Sequence, residues 1–183
     1  TTGGAYADFG LFYKERSEVA EPETAVQKSV DVLATNTYYT FQCGPVELDV
    51  VFTAPMLIDD YDLISTPINY ISYQVRSTDG KKHDVQFYLS ADAQQAVNKD
   101  NQPTLTSRGF QDGIAYVKAG TVEQPILAKK GDGICIDWGY FYMPAINGHV
   151  GMGEANEVQN AFVQTGKLPR PDRSQMKAGK GFA

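Results

Sequence analysis

Short runs of strand-forming residues, each closed by glycine, proline or aspartate, are the feature that most limits the fold of this chain. The run 46–52 shows the pattern best, because apolar Val46, Leu48, Val50 and Phe52 alternate with mostly polar residues. Such alternation is typical of a strand with one buried face. A series of these runs separated by turn signals predicts an all-β fold, either a sandwich or a barrel, and of the two we favour an antiparallel β-sandwich.

Two turn signals predict hairpins. The Gly-Pro pair at 44–45 follows the aromatic run 37–43 and predicts a tight turn into the next strand. The Asp-Gly pair at 79–80 follows the strand-like segment 69–76, and its glycine tolerates the positive φ that such a turn requires. We expect the segment 82–89 to return antiparallel to the strand before it.

Strand patterns are weaker in the second half of the chain. Segments 114–118 and 134–143 read as strands, and the polar segment 98–113 reads as a loop with room for one short strand. The segment 154–164 has apolar residues at helical spacing and Gly166 just beyond its end, so one short helix is predicted there.

These patterns divide the chain into three parts. We predict an N-terminal extension at 1–25 and a β-sandwich domain at 26–145. The remaining segment, 146–183, is predicted to hold a linker, the short helix and a truncated, loosely held tail. The abrupt end of the sequence is interpreted as that of a piece cut from a longer protein.

The charge balance limits the class of partner. The chain has 16 basic and 22 acidic residues, a formal net charge of −6. Nucleic acid recognition requires a basic patch, so we expect no nucleic acid partner. No apolar run approaches the about 18 residues that a membrane helix needs, so no membrane span is predicted.

Cysteine and histidine are scarce. Cys43 and Cys135 are too few for a disulfide framework, although one disulfide between them stays open. With His83 and His149 as the only histidines, a zinc site built from cysteine and histidine is not expected. We therefore predict no metal and no cofactor.

Two polar clusters carry residue types used in catalysis. Asp59, Asp60 and Asp62 could supply oxygens to calcium or act in acid–base chemistry, but carboxylates in loops more often form turns or cap helices.

The second cluster, Ser77, Asp79 and His83, has the residue types of a hydrolase triad. A hairpin this short seldom brings three such side chains together beside an oxyanion hole, so we do not expect a triad.

The aromatic segment 137–142 is the strongest candidate surface. Alternation would place Trp138, Tyr140 and Tyr142 on one face, beside Asp137. The face is either a ligand-stacking platform or an interface with a neighbouring domain, and we favour the interface. No catalytic residue is assigned. The three aromatic residues, Asp137 and the aspartate cluster are the candidate ligand or interface residues.

A family resemblance rests on three segments: FQCGPVELDVVFTAPMLIDDYDLISTPINYISYQVRSTDGKKHDVQFYLSAD at 41–92, AGTVEQPIL at 119–127 and IDWGYFYMP at 136–144. In these segments the chain resembles the β-sandwich domain in the N-terminal half of the fungal glutaminase A family and its bacterial relatives. The family usually has arginine where this chain has Thr66, so any contact made by that arginine is altered here.

The resemblance implies a secreted or periplasmic multidomain protein whose founding members hydrolyse L-glutamine to L-glutamate and ammonia. It also implies a large helical domain, an α/α toroid, that follows the β-sandwich and carries the catalysis. We therefore expect a non-catalytic module that packs against this missing C-terminal domain, with a small-molecule substrate possible at the interface.

Two other functions stay open. Glycoside hydrolases also join a β-sandwich to an α/α toroid, so the chain is alternatively an accessory domain of a carbohydrate-active enzyme. It is also alternatively a stand-alone module that binds a ligand through its aromatic face.

Overall fold

The computed structural model describes residues 12–13, 23–169 and 173–176. The described residues form two compact units, which adjoin in sequence at Val85 and Gln86. Each unit contains one four-stranded antiparallel sheet. The predicted fold class, all-β and antiparallel with one short helix near the C-terminus, is confirmed. Most of the predicted N-terminal extension and part of the predicted tail lie outside the described residues.

The first unit is a meander with a small additional ladder and one helical turn. In its main sheet the strand order is β3-β4-β5-β6, and β1 pairs with β2. Its strands are β1 (Phe12–Tyr13), β2 (Glu23–Thr24), β3 (Val26–Val32), β4 (Asn36–Cys43), β5 (Val46–Thr53) and β6 (Tyr70–Ser77). The helix α1 (Tyr61–Ser65) lies between β5 and β6.

The alternation in β5 decides which face of this sheet is buried. Leu48 and Val50 are buried on one face, as the sequence predicts. On the other face Glu47 accepts hydrogen bonds from Lys28 and Arg76, each with a shortest contact of 2.6 Å. The predicted β4–β5 hairpin is confirmed, with Gly44 at φ 56° in its turn.

The hairpin predicted across 79–80 is wrong in its second half. Gly80 does have a positive φ of 74°, but the segment 82–89 contains no strand. The Asp79 carboxylate accepts hydrogen bonds from the Lys81 N–H at 2.9 Å and the Ser77 hydroxyl at 3.0 Å. This side chain satisfies the turn locally, which is the alternative that aspartate offers to a backbone ladder.

The second unit has the sheet order β10-β7-β8-β9, with a 3₁₀ turn (Ala93–Ala96) before the sheet and one helix after β9. Its strands and helix are β7 (Thr104–Gln111), β8 (Ile114–Thr121), β9 (Phe141–Ala145), α2 (Ala155–Thr165) and β10 (Arg173–Met176). The predicted helix is confirmed as α2. Gly166 ends it in the left-handed conformation, with φ 66°.

Two expectations fail in this unit, and one is met only in part. The segment 98–113, predicted to be a loop with room for one short strand, contains the eight-residue strand β7. The strand predicted at 134–143 begins only at Phe141, because Gly139 has a φ of 80° and interrupts extended backbone. Part of the tail that we expected to be loosely held forms β10, which pairs with β7.

One face of the second sheet forms the core of its unit. Val117 and Ala119 on β8 are fully buried and cluster with Ala93 and Met152. Phe141, Met143 and Val150 pack against this cluster. Because successive strand residues point to opposite faces, the residues between these on β8 and β9 point away from the core. The outer face that results carries the candidate site.

Candidate functional site

Three tyrosines and one lysine share the outer face of the second sheet. The register places Lys118 opposite Tyr142, with Tyr116 two residues before Lys118 on β8. The Tyr142 ring centroid lies 5.7 Å from that of Tyr116 and 6.3 Å from that of Tyr140. The Lys118 Nζ lies 4.6 Å from the Tyr140 centroid, within the range of a cation–π contact. We call these four residues the tyrosine face.

Two glycines let the rings lie close to the sheet backbone. A Cβ on Gly109 would lie 2.4 Å from the Tyr116 ring, and a Cβ on Gly120 would lie 2.6 Å from Cδ1 of Tyr140. Any larger residue would push these rings outward. Tyr140 and Tyr142 nevertheless remain 49% and 50% exposed. The result is an exposed aromatic surface whose rings pack directly against the backbone of the sheet.

Asp137 anchors the segment that leads into this surface. The residue is only 3% exposed, and its carboxylate accepts a 2.7 Å hydrogen bond from the Gln102 amide. It also forms an ion pair with Lys129, and its main-chain oxygen accepts a 2.6 Å hydrogen bond from the Thr121 hydroxyl. The Lys129 ammonium and then the Gln102 amide hold the pKa of the Asp137 carboxyl below its usual range. The buried negative charge of Asp137 is therefore balanced by Lys129, and the residue has a structural role.

Gln124 fixes the backbone next to Tyr140. Its side-chain oxygen accepts a 2.7 Å hydrogen bond from the Gly139 N–H, and its amide nitrogen donates to the Gly139 carbonyl at 3.0 Å. The same nitrogen donates to the Thr121 carbonyl at 2.9 Å. The Gln124 side chain thus holds the N–H and the carbonyl of Gly139 close to the end of β8. This fixes the backbone position of the neighbouring Tyr140.

Of the aromatic residues predicted from the sequence, the structure brings Tyr140 and Tyr142 together. Trp138 is half-buried and precedes Gly139, outside β9, so strand alternation does not apply to it. Among the described residues, the ring that completes the cluster is Tyr116, which the sequence reasoning missed. Pairing β8 with β9 would have found Tyr116 and Lys118. Nothing in the sequence marks Gln102, Gln124 or Lys129.

The aspartate cluster lies in the first unit, around α1. The Asp60 carboxylate accepts a 2.9 Å hydrogen bond from the Leu63 N–H and so caps the helix. The main-chain oxygen of Asp62 accepts a 2.6 Å hydrogen bond from the Thr66 hydroxyl. Within the described ranges, no group of three acidic, histidine or cysteine side chains is placed to hold a metal ion.

A shallow depression beside α1 includes two of these aspartates. Its lining residues are Pro55, Asp60, Asp62, Leu63, Thr66, Ile68 and Tyr70. Asp59 is exposed next to the depression in sequence and is not among the lining residues. Asp60 has a structural role as the cap of α1. The contacts of the described residues around the aspartate cluster identify no ligand.

The Ser77, Asp79 and His83 side chains meet, but in the wrong order for a triad. One oxygen of Asp79 accepts the Ser77 hydroxyl at 3.0 Å and lies 2.8 Å from Nε2 of His83. In a triad the histidine lies between the other two residues and takes the proton of the serine. Here the carboxylate lies in the middle. The hydrogen bond from His83 and then that from the Lys81 N–H lower the pKa of Asp79.

Both cysteines are free thiols. Cys43 is buried, and this burial raises the pKa of its thiol, which disfavours the reactive thiolate. Cys135 is exposed.

The fold and the site of the described residues define an antiparallel β-module that presents an aromatic surface. The chain belongs to the family described as a domain of unknown function, DUF5127, whose model matches residues 35–182. It is also similar to Glutaminase A of Aspergillus oryzae, with 28% identity over 172 residues. That match covers 91% of this chain and 24% of the fungal protein, so the chain spans about a quarter of its relative.

No solved structure matches the chain. Of the helices in the described part of the chain, none has the length and apolar character needed to cross a bilayer.

Proposed function

We propose that this chain is a non-catalytic β-module of a glutaminase-like hydrolase, and that its tyrosine face packs against another domain of the same protein. The observation that carries the proposal is the exposure of Tyr140 and Tyr142, about half of each residue, on a surface fixed by surrounding contacts. Exposed apolar surface of this kind is typical of protein–protein contact sites. The match to Glutaminase A supports a larger parent protein, because most of that relative lies beyond the match.

Two carboxylates of the module support a structural role. Asp137 is buried and ion-paired with Lys129, and the Asp79 carboxylate is hydrogen-bonded to Ser77 and His83. A general acid or base must instead reach a substrate proton within hydrogen-bond distance. We propose that the helical part of the longer protein carries out the conversion of L-glutamine to L-glutamate and ammonia. The substrate would bind near the domain interface, and the protein would be extracellular or periplasmic.

Hydroxyl-radical footprinting tests the interface. We expect the oxidation of Tyr140 and Tyr142 to fall several-fold when the chain is part of the longer protein rather than alone. Tyr38 on β4 is 41% exposed, lies outside the candidate interface residues and serves as the reference tyrosine that stays reactive in both samples. Equal oxidation of Tyr140 and Tyr142 in the two samples would contradict the proposed interface.

A second candidate function has one specific observation in its favour. The rings of Tyr140 and Tyr142 are exposed and meet edge to face beside the Lys118 ammonium, as in a surface that stacks a sugar or another flat ligand. Titration calorimetry with oligosaccharides tests this ligand-binding module. Binding that Tyr140→Ala removes would favour it over the domain interface.

A further inference from the structure

The connection between β8 and β9 contains a tight apolar turn beside the tyrosine face. The Ala128 N–H donates a 3.1 Å hydrogen bond to the Pro125 carbonyl, so Ile126 and Leu127 occupy the two central positions of a β-turn. Leu127 has a φ of 51° at the third position of this turn. Glycine or asparagine is preferred there, because other side chains rarely adopt the left-handed region.

Leucine is an unexpected residue for this conformation. The other described non-glycine residues with positive φ are Asp112, Gln124 and Asn147, and all three are polar. Aspartate and asparagine tolerate such backbone best. Burial does not explain the leucine, because Leu127 is 75% exposed and Ile126 is 67% exposed. A strained residue that gains nothing from local packing points to a function of the side chain itself.

The turn is held at both ends. On its N-terminal side Gln124 is hydrogen-bonded to Thr121 and Gly139. On its C-terminal side Lys129 is ion-paired with the buried Asp137. A turn fixed in this way loses little further freedom when a partner covers it, which favours binding.

From these contacts we propose that Ile126 and Leu127 form an apolar knob that inserts into an apolar pocket of the domain covering the tyrosine face. The proposal rests on the proposed function. The occupant is the part of the longer protein beyond the matched region, which makes up most of the relative. The knob is continuous with the tyrosine face, because Gln124 bonds to Gly139, the residue before Tyr140.

Replacement of Leu127 by asparagine separates the two roles of this position. Leu127→Asn suits the left-handed backbone and removes the apolar side chain. In the isolated chain we expect the thermal midpoint to stay unchanged or rise, because nothing buried is lost. In the longer protein we expect the midpoint to fall, since a docked leucine loses its pocket.

Asp112→Asn is the matched control, since Asp112 has a φ of 50° in the β7–β8 turn at the opposite end of β8. We expect it to have the same small effect in both proteins.

The result that supports the knob is a lower thermal midpoint of the longer protein with Leu127→Asn, without any fall in the isolated chain. An equal or stabilising effect in both, with Tyr140 and Tyr142 protected in the longer protein, would overturn the knob and leave the proposed interface standing. Unprotected tyrosines would overturn the interface and the knob together. Sedimentation could also show that the isolated chain forms a dimer and that Leu127→Asn dissociates it. In that case the knob would bind a second copy of the chain, and the proposal that it binds another domain would be overturned.

Discussion

Replacement of Gly120 by alanine tests how tightly the tyrosine face is supported. The new Cβ would lie 2.6 Å from Cδ1 of Tyr140, 2.7 Å from the Gly139 carbonyl oxygen and 2.9 Å from Nε2 of Gln124. Favourable carbon contacts are about 3.5–4.0 Å long, so something must move. The tyrosine ring can swing outward, but the Gly139 carbonyl is backbone and is held by Gln124.

The magnitude follows from these contacts. Overpacking a well-filled site costs about 1–3 kcal/mol. Loss of the hydrogen bond between Gln124 and Gly139 adds about 0.5–1.5 kcal/mol. We therefore expect Gly120→Ala to lower the free energy of unfolding by about 1.5–4.5 kcal/mol.

Equilibrium urea unfolding provides the assay. Trp138 is the single tryptophan of the chain and precedes Gly139, so its fluorescence reports on this region. Gly109→Ala is the matched control, because the three atoms nearest to its new Cβ all belong to the Tyr116 side chain, whose free end can move. We expect the smaller loss from this control. An unchanged midpoint and unchanged Trp138 emission for Gly120→Ala would show that Tyr140 and the Gly139 carbonyl do not pack tightly against Gly120.

Three further predictions concern other parts of the chain. Gly80→Val should destabilise the first unit by about 1–3 kcal/mol in urea unfolding, because a β-branched residue resists the φ of 74° found there; an unchanged midpoint would contradict this. Met152→Ala should cost about 2–5 kcal/mol because Met152 is fully buried, whereas the exposed Met56→Ala should change stability by less than about 0.5 kcal/mol; equal effects in urea unfolding would be the contrary result. Lys129 lowers the pKa of Asp137 in the folded chain, so the ionised carboxylate stabilises the fold at pH values above about 4, its unfolded-state pKa. This stabilisation is lost as the pH falls from about 4 through the lower pKa of the folded state. Urea midpoints between pH 7 and pH 3 should fall less steeply for Asp137→Asn than for the unmodified chain, and parallel profiles would argue against this.

The parts of the fold that were predicted from the sequence are those set by local pattern. The alternation in 46–52 gave β5 and its buried face, and helical spacing with Gly166 gave α2. The strand β7 was predicted only in part, because its buried positions include Thr104 and Thr106, whose hydroxyls make the segment look polar.

The candidate site was only half predicted, because it depends on pairing between distant segments. Tyr140 and Tyr142 were found in one aromatic segment. Tyr116 and Lys118 join them through the register of β8 with β9, which no local pattern gives. The prediction of a return strand after 79–80 was wrong for a related reason. The turn signal was real, but the Asp79 carboxylate accepts the hydrogen bond of the Lys81 N–H, so the turn needs no partner strand.

The release of ammonia from L-glutamine tests most directly whether this chain supplies a surface and not the chemistry. The isolated chain and the longer protein are assayed at equal molar concentration, with heat-inactivated samples as blanks. We expect release by the longer protein and none by the isolated chain above its blank. Turnover of L-glutamine by the isolated chain would instead place catalytic residues within this module and overturn its proposed non-catalytic role.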